Sequence, residues 1–424
     1  MSNIVLGGGL SGLSAAYYLL KKLPNKPIAI IEKSDRLGGW IKSNILNDGI
    51  IFEQGPRTIR PSGTPGINTL TLIDDLGLSN QVVPILSSHP AARNRMIYAN
   101  QELHSLPSSI FSIFKKQTPF SKPLIRYLVQ DLFSPKKTIN DESIYDFVNR
   151  RFGREFADYL ISALICGICA GNSKEISVNF IMKKLFEYEQ QYGSISKGLI
   201  RNLLKKQNVN VDLKGLPLQA KKERWSVYSF KNGLETLPKY LESYVRKNNV
   251  NVELDSKCNN LEICDNSIML HFENGKHLKA DHVISSLPSE SLANILQNQH
   301  SHLSDLLRNI QNVTVGVVNL CYNEKLISKE GFGFLVPPKE KLPILGVIYD
   351  SCCFPKANNT VLTVMMGGYW FEQLFGKHPE EGVLLQTAKE QLKNTLGISR
   401  NQLILRSTFF TSVFLSMLLD IMKI

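Results

Sequence analysis

The 424-residue chain has no run of about 18 apolar residues, so no segment is long enough to read as a transmembrane helix. The first apolar strand runs straight into glycines rather than into a cleavage site. No signal peptide is therefore expected, the mature fold is expected to begin at residue 2 or 3, and any organelle address would be internal. Low-complexity tracts and repeats at solenoid periods are absent, which sets aside disorder and repeat architectures. Cysteine is sparse: seven residues, odd in number and scattered, do not make a disulfide framework. Cys166 and Cys169 form a CxxC inside an apolar stretch, and no second CxxC completes a zinc site. A packing role is expected there and for Cys352-Cys353. No Ser/His/Asp or metal-ligand constellation is evident, and no basic-aromatic array or zinc-finger spacing supports nucleic acid.

What is present is an ordinary globular composition, 43% hydrophobic and 20% charged, in a length that suggests two or three domains. The formal net charge of +12 favours an anionic partner: nucleic acid, an anionic membrane face or a carboxylate-bearing substrate, with a solvated basic surface as the plain alternative. Ile4-Val5-Leu6 reads as a short buried strand, residues 13–22 as a helix and residues 28–31 as a second buried strand. This β-turn-α-β order is the mononucleotide-binding half of a doubly wound fold. From about Pro90 to Asn210 the pattern turns mostly helical, with helices expected near 122–133, 142–151, 154–168, 177–191 and 195–206. A helix over 232–247 and strands at 250–254, 258–264, 267–273 and 281–286 follow. Strands at 313–322, 332–336, 344–349 and 360–367 suggest an antiparallel sheet, and a helix returns near 380–394.

The turn between the first strand and helix, Gly7-Gly8-Gly9-Leu10-Ser11-Gly12, satisfies GxGxxG in its proper context. Gly7 permits the tight turn, Gly9 lets backbone approach a pyrophosphate and Gly12 lets helix and strand come close. The helix start offers unpaired N–H groups and its positive dipole end to phosphates. Glu32 closes the second strand where a carboxylate accepts from ribose hydroxyls.

Beyond Glu32, Arg36-Leu37-Gly38-Gly39-Trp40 and the segment from Gly49 to Gly55-Pro56-Arg57 resemble the amine oxidase-like flavoproteins, which implies FAD. The match narrows further. Arg36 to Ser43, Gly55 to Pro61, His89 to Arg95, Phe120 to Pro123, Ala170 to Ser173, Ala280 to Ser286 and Gly331 to Pro337 resemble the protoporphyrinogen oxidases of the eukaryotic mitochondrial type. The resemblance implies an oxygen-dependent enzyme of haem synthesis that converts protoporphyrinogen IX to protoporphyrin IX and reduces three O2 to H2O2. It also implies a homodimer bound peripherally to the intermembrane-space side of the inner mitochondrial membrane. The cofactor set it marks comprises Gly7 to Gly12, Glu32, Lys33, Arg36, Gly38, Gly39, Trp40, Gly55, Pro56, Arg57, Thr58 and Lys257. Arg57 would be the catalytic cation, stabilising negative charge on reduced flavin; an ordinary surface arginine is the alternative. Around the substrate the resemblance places Phe332, Gly333, Leu335, Gly171 and Met365, with Arg95 meeting a propionate. Arg93, two residues away, is chemically equivalent, and Phe332 and Leu335 also suit a strand core.

The expected architecture is α/β, α+β overall. A Rossmann-like FAD-binding domain would be split over 1–88 and 231–298, and a helical membrane-binding insert would span 89–210. A β-rich substrate domain would combine 211–230 with 299–405, and 406–424 would be a divergent tail. In the insert, residues 109–116 and Lys183-Lys184-Leu185-Phe186 mix apolar and basic side chains as monotopic attachment requires, and as a soluble bundle also does. After about Leu405 the resemblance stops, so the sheet is expected to lose a strand and the flavin one wall. A truncated or alternatively spliced product, with weak FAD retention and low turnover, is the expectation. The alternatives are an impaired partner of intact enzyme and another flavoenzyme of the same fold.

Overall fold

The computed structural model describes residues 3–46, 48–107, 110–204, 213–355, 358–399 and 404–416; for 110 and 404–416 it describes backbone alone. Contacts divide the chain into two interleaved units, Met1–Leu86 with Leu213–Ile310, and Ser87–Asp212 with Gln311–Ile424. No described helix is long and apolar enough to cross a membrane.

The first unit is built on a four-stranded parallel sheet. β1 (Asn3–Leu6) lies at its centre between β2 (Ile28–Ile31) and the strand His282–Ser285, and Asn251–Glu253 borders β2. Three of the four residues of β2 and all four of β1 are buried, as a parallel sheet covered on both faces demands. The joining helix α1 (Leu10–Lys22) buries Gly12, Leu13, Ala16 and Tyr17, one stripe at helical spacing, and keeps Lys21 and Lys22 in its last turn, where the dipole favours cations. Against it lies the helix Thr236–Lys247, which buries Leu237, Leu241 and Val245 at intervals of four. The other face of the parallel sheet is covered by an antiparallel meander, Cys258–Cys264, Ser267–Phe272 and His277–Ala280, whose Leu270 and Phe272 join Ile4, Leu6 and Ile31 in one core. Each such side chain contributes roughly 1.5–3 kcal/mol on burial. Two boundaries differ from the sequence reading: Trp225–Phe230 pairs antiparallel with Val82–Leu86 and so belongs to this first unit, as does the helix Ser301–Arg308, whereas 211–230 and the stretch from 299 were expected with the substrate domain.

The second unit centres on a seven-stranded sheet in the order Ile404–Ser416, Gln311–Tyr322, Thr360–Gly368, Ile344–Tyr349, Gly333–Leu335, Arg95–Ala99, Glu102–Ser105. Its two outermost partners were not foreseen. The hairpin Arg95–Ser105 falls inside the stretch read as helical, because its turn at Asn100 and Gln101 reaches φ +52° and +64° without a glycine to announce it. The segment beyond Leu405 does not leave the sheet one strand short: Ile404–Ser416 pairs antiparallel along Gln311–Tyr322, with Asn319 opposite Arg406. Along Gln311–Tyr322, Val313, Val315 and Val317 alternate with Val318, Leu320 and Tyr322, so both faces are apolar. One face carries the helix Glu381–Leu396 through Leu384, Ala388 and Leu392.

The expected helices of the insert are present as Leu124–Phe133, Ile144–Phe152, Ser162–Cys169 preceded by a π-helical turn at Phe156–Ile161, Lys183–Tyr192 and Ile195–Leu204. A buried ionic cluster pins four of them. Arg151, fully buried, donates to Asp131 at 2.6 Å and approaches Glu189 at 3.3 Å, while its other N–H groups reach the carbonyls of Ser134 and Gly193. Arg150 bridges Glu142 and Glu189. Burial alone would raise the Asp131 carboxyl, yet the Ser196 N–H and hydroxyl, Ser194 and Arg151 together hold it below the ordinary carboxylate value.

Candidate functional site

The glycine turn of the first unit is held by close approaches that fix each position. Gly7 has φ +98°, and a β-carbon there would come within 2.6 Å of Ser286 Oγ. A β-carbon on Gly12 would lie 1.9 Å from the Gly7 carbonyl oxygen, so helix and strand can meet only at a glycine. Gly9 is different. Its backbone is ordinary extended chain, and a β-carbon there would meet only Gly39 Cα, at 3.9 Å. Open space thus stands above the start of α1, whose N-cap has no side chain to satisfy the first N–H groups of Leu10, Ser11 and Gly12. A diphosphate fits there: it needs unpaired N–H donors, the positive end of a helix and no intruding Cβ.

Glu32 stands at the end of β2 with both oxygens oriented. Oε2 accepts from Gly8 N at 2.6 Å, and Oε1 accepts from Ser34 N at 2.9 Å and Ser34 Oγ at 2.8 Å. Its backbone is fixed from the other side, Glu32 N donating to Glu253 O and Ser256 N to Glu32 O. A carboxylate held this way keeps a lone pair, on Oε2, for a ribose hydroxyl.

The second glycine pair closes on the first. Gly38 N donates to Gly8 O at 2.9 Å. Arg36 does not extend outward: it donates to the carbonyls of Leu37, Ile41 and Gly39 and approaches Glu235 at 3.7 Å, so it staples its own loop. Gly55 passes so close to Trp40 that a β-carbon would sit 2.3 Å from the Trp40 carbonyl oxygen, and Trp40 itself remains partly exposed. Arg57, after Pro56, is buried, Thr58 is half-buried and Lys33 is exposed. Lys257 lies at the surface, paired with Glu273 at 2.5 Å. Ser286 was missed. Its hydroxyl reaches the carbonyls of Leu6 and Gly7 at 2.9 and 3.0 Å and props the turn from below, although its strand was visible as an apolar run.

In the second unit the sheet register gathers the other candidates. Ile97, Leu335, Gly346, Met365 and Val317 lie directly opposite one another across five strands, and directly opposed residues share a face. One row along, on the same face, stand Arg95, Gly333, Ile348, Thr363 and Asn319. Met365 is the one member of its nine-residue strand left half-buried, and Leu335 the one of its three. Between them Gly346 presents no side chain. Ile348, half-buried in the neighbouring row, is an addition that only the register reveals. Gly333 has φ +131° and a β-carbon would lie 2.1 Å from Val347 O, so its glycine is also demanded by the backbone. Phe332, half-buried, opens the same strand, with its N–H on Asn94 O and its carbonyl taking Tyr349 N–H. Over this face lies the helix Ser162–Cys169: a β-carbon on Gly167 would touch Leu335 Cδ2 at 2.7 Å, and Cys166 and Ala170 join Val317 and Met365 in one cluster. Gly171 follows in the loop, with Ile176 against it. Arg93, by contrast, ends a short helix and donates to Ser87 O. Burial pushes the Cys166 thiol up to about 12, consistent with a packing role. Among the described residues no group of His, Cys, Asp or Glu could hold a metal ion.

The profile of the flavin containing amine oxidoreductases matches residues 10–415. Protoporphyrinogen oxidase of Bos taurus is 38% identical over 403 residues, covering 93% of this chain and 84% of that protein. The Schizosaccharomyces pombe protoporphyrinogen oxidase is 32% identical, over 96% and 86%. The chain belongs to the protoporphyrinogen oxidase family. It is an FAD-dependent oxidoreductase of α/β construction, and the family profile runs well into the segment past Leu405 that the sequence reading set apart. Among solved structures, one from Exiguobacterium sp. 255-15 shares the fold over the whole chain and 89% of its own length, with a TM-score of 0.78 at 20% identity. Cyclohexylamine oxidase from Brevibacterium oxydans does so at 0.67 and 14%, over 96% of this chain and 84% of that one. The candidate cofactor turn lies in the first unit and the candidate substrate face in the second.

Proposed function

We propose that the chain oxidises protoporphyrinogen IX to protoporphyrin IX with O2 as the final acceptor, six electrons leaving in three two-electron steps and three H2O2 forming. The observation that carries this reading is the strip Leu335–Gly346–Met365 with Arg95 in the adjoining row. An apolar strip edged by a guanidinium suits an apolar macrocycle that bears carboxylates. Bound FAD supplies the two-electron acceptor that O2 restores. The start of α1 and Gly9 would hold its diphosphate and Glu32 a ribose hydroxyl. Arg57 would keep a positive charge on the flavin side. Arg95 would fix a propionate, and Gly171, Phe332, Gly333, Leu335 and Met365 would orient the ring system and exclude water. Arg36 supports the cofactor loop from behind.

Membrane contact is part of this reading. Phe111, Phe114, Phe133, Leu203 and Leu204 are all more than half exposed, on the helix Leu124–Phe133 and the two segments that contact it, with Lys115, Lys116, Arg126 and Arg201 among them. Exposed aromatics with basic flanks favour an anionic bilayer surface without a span. One relative is named a mitochondrial protoporphyrinogen oxidase, from Nicotiana tabacum. A peripheral homodimer on the intermembrane-space side of the inner mitochondrial membrane is the setting we infer.

The test is anaerobic mixing of the purified flavoprotein with protoporphyrinogen IX, after its flavin content is measured. The reading expects the flavin to bleach, then to recover on admitting air, with three peroxides per porphyrin. Bound flavin that stays oxidised would overturn it.

A further inference from the structure

Two segments that carry candidate substrate residues are tied together at one point of the second unit. The strand Thr360–Gly368 ends in Gly367 and Gly368, at φ +83° and +61°. A β-carbon on Gly368 would lie 2.3 Å from the carbonyl oxygen of Ala170, and Tyr369 N donates to that same oxygen at 2.8 Å. Ala170 is itself left-handed, at φ +51°, where it ends the helix Ser162–Cys169. Backbone therefore meets backbone at the boundary between strand and loop.

Side chains complete the junction. The Tyr369 hydroxyl donates to Glu175 Oε1, and Asn172 Nδ2 donates to the same oxygen at 3.1 Å. Glu175 is set by a tight turn, in which Asn172 O accepts from Glu175 N at 3.0 Å and Ile176 N at 3.2 Å, and Asn172 Oδ1 accepts from Lys174 N at 3.1 Å. Gly171 lies between Ala170 and Asn172; Met365 lies on the strand that ends at Gly368. Neither the sheet ladder nor the helix requires the Tyr369–Glu175 bond. Its geometric effect is to hold the Gly171 loop at a set distance from the strand of Met365.

We propose that Tyr369 and Glu175 are positioning residues that fix the spacing between Gly171 and the Leu335–Met365 strip, and through it the affinity for the tetrapyrrole. This rests on the reading of Gly171 and Met365 as substrate walls. Losing one hydrogen bond on a partly exposed tyrosine does little to the fold but lets one wall of the site drift, so binding suffers before chemistry does.

The experiment uses the full-length flavoprotein and steady-state oxidation of protoporphyrinogen IX, with Tyr369→Phe, Glu175→Ala, Glu175→Gln, the Tyr369→Phe/Glu175→Ala double variant and Met365→Ala. The expected result for Tyr369→Phe and Glu175→Ala is a KM raised about fivefold or more, the size of one net hydrogen bond, with kcat, flavin content and melting temperature held. Glu175→Gln, which keeps an acceptor oxygen, recovers part of the loss, and the double variant is no worse than either single one. If Met365→Ala raises KM while Tyr369→Phe stays within about twofold of the parent, the positioning role is overturned and the substrate wall stands. Should Met365→Ala leave KM unchanged, the substrate wall falls and the spacing proposal with it, whatever Tyr369→Phe does. Parallel losses of kcat and melting temperature in Tyr369→Phe would overturn it as well, by making the bond merely structural.

Discussion

A β-carbon placed on Gly12 would stand 1.9 Å from the carbonyl oxygen of Gly7, whereas one placed on Gly9 would meet no atom closer than Gly39 Cα at 3.9 Å. Three residues apart, these glycines answer to different demands. Gly12 serves the protein's own packing, and Gly9 leaves open the space where we propose that the diphosphate lies.

That difference is measurable. Gly12→Ala forces helix and strand apart and is expected to cost about 1–3 kcal/mol even without cofactor. Gly9→Ala, at φ −68° and ψ −179°, should change apoprotein stability by no more than about 0.5 kcal/mol yet release FAD readily. Thermal melts of apoprotein, paired with flavin absorbance after gel filtration, check both. A Gly9→Ala protein that keeps full flavin would show that the diphosphate does not lie there.

Glu32→Gln tests the ribose end. The amide retains one acceptor but turns an N–H toward Gly8 N or Ser34 N, which now donate to carboxylate oxygens at 2.6 and 2.9 Å. The expected loss in FAD affinity is about tenfold or more, the scale of a hydrogen bond to a charged group. Titration of apoprotein with FAD, followed by flavin fluorescence, reads it.

Arg95 and Arg93 could not be told apart by chemistry, and the register separates them. Arg95 is opposite Gly333 on the candidate substrate face; Arg93 is turned to Ser87 O. Arg95→Ala should raise KM for protoporphyrinogen IX by about tenfold or more, the worth of a charged hydrogen bond, and Arg93→Ala should leave it within about twofold. The reverse ranking would move the propionate anchor to Arg93.

The buried ionic cluster gives a stability prediction with a defined sign. Arg151→Met leaves Asp131 and Glu189 buried with one cation fewer and is expected to cost about 3–5 kcal/mol in urea unfolding. Asp131 and Glu189 both sit below the ordinary carboxylate value despite burial, which by itself raises it; Ser196, Ser194 and Arg151 lower the first, Arg150 and the Lys137 N–H the second. A depressed folded value means their contribution is fully present above the unfolded carboxylate value and is lost as pH falls through the folded one. Stability should therefore stay level above about pH 5 and decline below about pH 4, less steeply in Arg151→Met.

How much of this could be read from the chain differs by region. The glycine turn was legible because its signal is local: a strand, a turn, a helix and Glu32 within 32 residues, with Gly7 and Gly12 tied to backbone demands. The later strands were legible from alternation, and Gln311–Tyr322 falls close to the expected 313–322. The hairpin Arg95–Ser105 was not, since Asn100 and Gln101 adopt a left-handed turn with no glycine, and a lone Asn followed by Gln is a weak turn signal. Arg150 and Arg151 look alike in sequence, yet only Arg151 is fully buried; no local pattern distinguishes a surface base from one enclosed by Asp131, Ser134 and Gly193. Nor does sequence show that Leu335, Gly346 and Met365 stand in one row, because register is set by pairing across the sheet.

The interleaving of the two units has a consequence for how the protein is made. β1 and β2 emerge first from the ribosome, but the strands that flank them, Asn251–Glu253 and His282–Ser285, come only after the whole of Ser87–Asp212. At about 5–20 residues per second the nascent sheet waits on the order of tens of seconds with both edges bare. The second unit is divided in the same way, its strands Arg95–Ala99 and Gly333–Leu335 separated by most of the first. The first unit cannot finish until the leading part of the second has been synthesised, and the second cannot finish until the whole of the first has been, which makes the order of assembly a matter for chaperones as much as for the ribosome.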